Sequence, residues 1–290
     1  MAVKYLFTSI ALFLAGLFAV VTPEMRLQST HTIDSLGACQ GASFIEGKLY
    51  LYGDREVGMI REYQLKDGSL VYQNKEIQLT QNGNDLINHP TGIAWRKGMP
   101  VFIGNSIRLN QEGTLWKAVI HQVDWHGLKK TGTLDGNILS NIDDDACIQG
   151  TRPEYVSHKG KWYVATADYG DKKNEVRLYD PYALAKAGKT SEKGVLVTKF
   201  SCGPWVQNLH WMEEKGILIL VQNQVQGRKW RFTFLDLEKS IAQGSQHVIR
   251  SIDIDKADEL EGFTFFNKSR TGVAVTSSQK ENVHFFDFSW

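Results

Sequence analysis

The sequence is poor in cysteine, in clustered charge and in helical periodicity, and each shortage removes a class of protein. Only three cysteines occur in 290 residues, Cys39, Cys147 and Cys202. They form no Cys-x-x-Cys pair and no His/Cys cluster, so neither a structural zinc site nor a disulfide framework is expected. One disulfide, with Cys147–Cys202 the preferred pair, and three separate small buried thiols both fit an odd count. The net charge is +1, and basic residues gather no more densely than Lys129-Lys130 and Lys172-Lys173. Phosphate contacts need clustered Lys and Arg, so a nucleic-acid partner is excluded. No Gly-x-Ser-x-Gly elbow exists, and neither Cys39 nor Cys202 has a readable activating partner, which removes nucleophilic serine or cysteine chemistry. A 3.6-residue period shows only in Tyr182–Lys186 and Leu237–Ala242, so the chain is predicted to be all-β.

The N-terminus is what stands out first among the features present. Met1–Lys4 is positively charged, Tyr5–Val21 is uncharged and mainly apolar, and Thr22-Pro23-Glu24 follows. This pattern reads as a signal peptide or signal anchor over residues 1–26, with one domain over 27–290. The protein is therefore expected to be exported to a periplasmic, extracellular or secretory-lumen compartment. It would touch a membrane only through that apolar segment and act as a monomer.

Downstream, one unit recurs five times, starting at Gln40, Thr91, Pro153, Gln207 and Glu261. Each copy is a short apolar strand, a turn with glycine and a second apolar strand. Gly47, Gly98, Gly160, Gly216 and Gly272 stand in the turns, where glycine reaches backbone angles that other residues resist. Third strands follow at Ile60–Leu65, Trp116–Val123, Val176–Tyr179, Lys229–Leu235 and Val283–Phe288. Fourth strands, such as Val195–Phe200 and Gln246–Ile254, lead into the next copy. The starts are spaced by about 51, 62, 54 and 54 residues, the period of four-stranded propeller blades. The fifth copy ends after three strands, and Thr30–Ser35 is predicted to supply its fourth and close the ring. The fold expected is a five-bladed β-propeller of four-stranded antiparallel blades.

The glycine-bearing copies and the Leu260-Glu-Gly-Phe263 start resemble the lactonase-like, strictosidine-synthase-like and phytase-like β-propellers across Thr30–Trp290. In lactonase-like propellers a glutamate at such a start holds a divalent metal with an Asn and an Asp from other blades. The resemblance implies Glu261 and Asn208 as metal ligands, with Ca²⁺ the cofactor. No aspartate stands at an equivalent start.

In a propeller the first strand of each blade lines the central channel, so residues some 50 positions apart meet at one mouth. There the copies place Gln40; His89 with Thr91; Arg152 with Glu154; Gln207 with Asn208; and Glu261 behind Asp258 and Glu259. Arg152 could grip a carboxylate or phosphate, and the amides of Gln40, Gln207 and Asn208 could bind sugar hydroxyls. Such groups can equally satisfy one another. Glu261, His89 and Glu154 are the candidate catalytic residues, and Trp205, in a loop after Gly203-Pro204, is the candidate stacking residue. Trp95, Trp162, Trp211 and Trp230 are expected to pack between blades. Asp143-Asp144-Asp145 reads as a solvated loop, with cation binding the alternative. The expected function is a polar small-ligand site at the mouth, in enzymatic form a metal-assisted hydrolase of lactones or phosphoesters. The alternatives are a non-catalytic glycan- or protein-recognition propeller and a glycoside hydrolase using Glu154 and Glu261.

Overall fold

The computed structural model describes residues 23–290 except positions 35, 67, 148, 173, 224–228 and 267–269; the expected targeting segment thus lies mainly outside the described residues. Five four-stranded antiparallel sheets form the ring. Their innermost strands are Cys39–Ile45, Pro90–Ala94, Glu154–His158, Val206–Met212 and Leu260–Phe265. These follow the five starts read from the repeats, in blades 1 to 5. Between blades 1 and 2 a small extra hairpin pairs Thr80–Gln81 with Asn84–Asp85.

Blade 5 is completed from the other end of the chain, as expected, but by an earlier segment. The closing strand is Glu24–His31, running antiparallel to Val283–Ser289 from Glu24↔Ser289 to His31↔Val283. Only Thr30 and His31 of the predicted Thr30–Ser35 belong to it. The chain turns away afterwards because Asn282 captures it: its Oδ1 accepts from the Ile33 N–H at 2.8 Å and its Nδ2 donates to the Ile33 carbonyl at 2.9 Å.

The core consists of five apolar clusters, one at each seam between neighbouring blades. The seam of blades 4 and 5 is aromatic, with Trp230, Phe232, Phe234, Phe263, Phe286 and Phe288 buried together. Trp230 packs there as expected, with its Nε1 donating to the Asp258 carbonyl at 2.9 Å. Five interfaces for five blades leave no open side to the ring.

The short helices Pro181–Leu184 and Leu237–Gln243 match the two helical stretches of the sequence. A third, Trp125–Thr131, was not anticipated. Asp124 caps it by accepting from the N–H groups of His126 and Gly127, and Gly132 ends it at φ 76°, a left-handed conformation suited to glycine. All three cysteines are free thiols, so the Cys147–Cys202 disulfide is not formed. Burial raises the Cys202 thiol to about 12.

A candidate functional site at the channel mouth

Four innermost strands carry a register shift at their first residues. It falls between Cys39 and Gly41, Pro90 and Gly92, Val206 and Asn208, and Leu260 and Gly262. The residues skipped are Gln40, Thr91, Gln207 and Glu261. A bulge releases one residue from the ladder and re-aims its side chain, so the repeated starts present these four at the mouth. The glycines that follow Gln40, Thr91 and Glu261 let the strands close up: a Cβ on Gly262 would lie 2.6 Å from the Gly41 Cα.

Most polar groups of the mouth are held by neighbours around the ring. Arg152 is buried; its Nε donates to the Gln207 carbonyl at 3.3 Å, Nη2 to Gln207 Oε1 at 3.1 Å and Nη1 to the Gln149 carbonyl at 3.3 Å. Gln207 Nε2 and Asn223 Nδ2 each donate to Glu259 Oε1 at 3.2 Å. On the other side His89 Nδ1 lies 3.0 Å from Asp54 Oδ2, which also accepts from Gln40 Nε2 at 3.3 Å. Thr91 Oγ1 donates to the Thr151 carbonyl. Gln40, His89, Arg152 and Gln207 are therefore engaged with the protein itself.

Glu261 is the exception. It is 5% exposed, and none of the side-chain hydrogen bonds found among the described residues satisfies its carboxyl group. Burial raises its pKa well above the ordinary 4.5, the charge of Glu259 pushes the same way, Arg152 partly opposes, and Asp54 adds a further upward push. An arginine nearby ordinarily keeps a carboxylate ionised. Desolvation wins instead, because the guanidinium is committed to Gln207 and Gln149 and two other carboxylates face Glu261. Of the companions expected for Glu261, Arg152 is thus coupled to it directly, while Gln40 and His89 are linked through Asp54.

Trp205 flanks this mouth. Its backbone is left-handed at φ 63°, held by Trp205 N–H donating to the Gly170 carbonyl at 2.9 Å. The indole packs edge-on against Tyr169, centroids 5.0 Å apart, and Arg152 lies over the Tyr169 ring at 5.4 Å. Buried Trp205 Nε1 has no hydrogen-bond partner.

Glu154 and Asn208 lie one layer further in. Tyr52 passes over Gly41, where a Cβ would collide with its ring, and its hydroxyl accepts from Asn208 Nδ2 at 3.4 Å. Blades 1 and 4 are not neighbours, so this contact crosses the channel axis. Glu154, electrostatically coupled to Tyr52, accepts from the Tyr155 N–H at 2.8 Å, and burial raises its carboxyl to about 8. The structure therefore does not set Glu154 beside Glu261 in one layer.

Among the described residues no group of three or more His, Cys, Asp or Glu is arranged to hold a metal. Asn208 turns its amide nitrogen to Tyr52, so the Glu261–Asn208 calcium pair gains no support and no metal-assisted step is derived. In the acidic loop Asp143 pairs with Lys117 at 3.3 Å, Asp144 accepts from Tyr179 and Thr190, and Asp145 accepts from Ser191. A cavity of about 650 Å³ lies on blade 3, with Asp168, Asn174, Arg177 and Lys199 in its lining. Its Arg177 and Lys199 pair with Glu175 at 3.2 and 2.9 Å.

Sequence reasoning missed Asp54, Asn223, Tyr169 and Tyr52 as members of the site. Asp54 and Asn223 had a signal, since each ends an apolar second strand, Lys48–Asp54 and Ile217–Asn223. Tyr52 had none, because its role depends on the space left by Gly41.

No protein-family model matches the chain, and no curated protein matches it. Among solved structures it is similar to the glutaminyl cyclase of Myxococcus xanthus, with TM-score 0.53 and 13% identity over 91% of this chain and 95% of that one. It is similar also to the hydrazine synthase of Kuenenia stuttgartiensis, with TM-score 0.45 and 13% identity over 87% and 59% of the two chains. For U3-55K the TM-score is 0.47, with 7% identity over 91% and 98%. At such identities the likeness concerns the fold. The protein is a five-bladed β-propeller whose last blade is shared by its two chain ends.

Proposed function

We propose that the channel mouth binds a small polar ligand carrying a carbonyl, ester or phosphoester oxygen, and that Glu261 in its acid form donates a proton or hydrogen bond to it. One observation carries this reading: Glu261 is 5% exposed and none of the hydrogen bonds among the described residues reaches its carboxyl group, whereas Gln40, His89, Arg152 and Gln207 beside it are engaged. Its oxygens are not among the fully buried polar atoms left without a partner, so they keep contact with solvent, and a ligand that displaces that solvent has to offer them a hydrogen bond.

The enzymatic form is a hydrolase of lactone or phosphoester type. His89, oriented through Nδ1 by Asp54, takes a proton from the attacking water as the new O–C or O–P bond forms. Glu261 gives its proton to the leaving oxygen as the ester bond breaks. Positioned acid–base catalysis of this kind contributes roughly 10²–10⁴-fold. Ring closure at a glutaminyl residue, the chemistry named for the similar cyclase, also needs a proton carrier and belongs among the substrates tried. Export through the N-terminal apolar run remains part of the proposal.

The test is a panel of lactones, aryl esters, phosphate monoesters and an N-terminal glutaminyl peptide, assayed for turnover and for thermal stabilisation. The wild type should respond to one class. Glu261→Gln should still bind, since the amide keeps a donor, but lose turnover about 100-fold or more. Glu261→Leu should lose binding as well. Identical binding and turnover in all three proteins would refute the reading.

A further inference from the structure

We propose that the opposite end of the channel is a second binding site, built for a single neutral sugar ring. At that end the innermost strands of the five blades run out toward their hairpins, and a cavity of about 220 Å³ opens among them. Trp95, Trp162 and Trp211 line it, with Glu154, His210 and Thr264 among the polar groups. The Tyr52–Asn208 contact across the axis separates this cavity from the mouth.

Its size selects a one-ring ligand, because it falls below the range of drug-sized pockets, about 300–1,000 Å³. Its chemistry selects a neutral one. Arg96, at the rim, lies on the Trp162 ring at 3.2 Å and pairs with Glu213 at 3.2 Å. Its charge is thus already answered. His210 is held neutral by burial, which lowers its pKa to about 4, and Glu154 is raised to about 8 by the same cause. An ionic ligand would meet no free opposite charge in its most stable state. A polyhydroxylated ring finds the aromatic side chains of Trp95 and Trp211 for its C–H surfaces and a carboxylic acid able to give and accept. It also finds the buried Trp211 Nε1, which has no hydrogen-bond partner in the protein. Trp211 packs against the cluster of blades 3 and 4, and its unpartnered N–H is costly there unless a guest accepts from it.

Tryptophan fluorescence of the full chain, titrated with glucose, galactose, mannose and N-acetylglucosamine, tests the proposal, with tetramethylammonium as the charged control. At least one sugar should give a saturable change. Trp211→Phe, which keeps the ring and removes the N–H, should weaken it roughly tenfold. Glu154→Leu is the second variant should the first fail to fold, and it should weaken binding to at least the same degree. Glu261→Gln, at the other end, should leave sugar binding unchanged, so that this site and the mouth stand or fall separately. The proposal is overturned by saturation with tetramethylammonium alone, by no saturation with any sugar, or by unchanged affinity in the variant that folds.

Discussion

Glu261 and Glu154 are both glutamates at the starts of innermost strands, yet the ring treats them differently. Glu154 bonds to its own neighbour's N–H and sits against a phenol of blade 1. Glu261 meets two carboxylates and an arginine already spoken for. The difference arises from one residue of register. Glu261 is skipped by a bulge, whereas Glu154 pairs regularly with Ala165 and points one layer deeper. Repeats thus bring equivalent positions together, and bulges decide which of them face the mouth.

The largest expected effect comes from the closing strand, which completes the blade of Glu261 and not that of Glu154. Removing residues 1–22 should leave a cooperative thermal melt. Removing residues 1–31 deletes the whole Glu24–His31 ladder and exposes a long sheet edge, so no cooperative melt should remain. A normal melt in the longer truncation would break the closure argument.

Next in size is the pH dependence. Both glutamates have folded values raised above 4.5, so their contribution to stability is full below 4.5 and is lost as pH rises through the folded value. For Glu154 this window runs from 4.5 to about 8, and Glu154→Gln should gain on the wild type across it by roughly 2–4 kcal/mol. On the acid side His121, His210 and His284 are lowered to about 4 by burial. Their contribution is complete above 6.5 and fades as pH falls through 4. Urea unfolding at several pH values checks both limbs.

Arg152→Gln should cost about 2–3 kcal/mol, since a buried guanidinium loses its bonds to Gln207 and Gln149. It should also raise the Glu261 pKa further, and leave Glu154 unmoved. Smallest is Gly41→Ala, about 1–3 kcal/mol from overpacking against Tyr52. That change should disturb the layer of Glu154 and Asn208 more than the mouth, visible as loss of the Tyr52–Asn208 contact in a structure of the variant.

Much of this was legible in the sequence. The spacing of the starts located the innermost strands, and the third strand Trp116–Val123 was read to the residue. These features are local, because short apolar runs bounded by turns carry their own signal. The closing strand was displaced because the alternation Met25, Leu27, Ser29 follows directly on the apolar leader and merges with it. The helix Trp125–Thr131 was hidden by the weak helix former Gly127 in its interior, although Asp124 and Gly132 are ordinary caps. The partnerships at the mouth could not be read at all: whether Arg152 serves Glu261 or Gln207 depends on how neighbouring blades pack, which no local pattern encodes.

The central claim is that Glu261 is a buried acid left for a ligand, and a carboxyl titration tests it most directly. Protein labelled with ¹³C at glutamate Cδ, with Glu261→Gln used to assign the signal, would be followed by NMR over pH. The account predicts that Glu261 titrates well above 4.5, moves on Arg152→Gln and responds to the ligand found in the panel. A Glu261 signal that titrates at or below 4.5 would show an ionised, ring-satisfied carboxylate and contradict it.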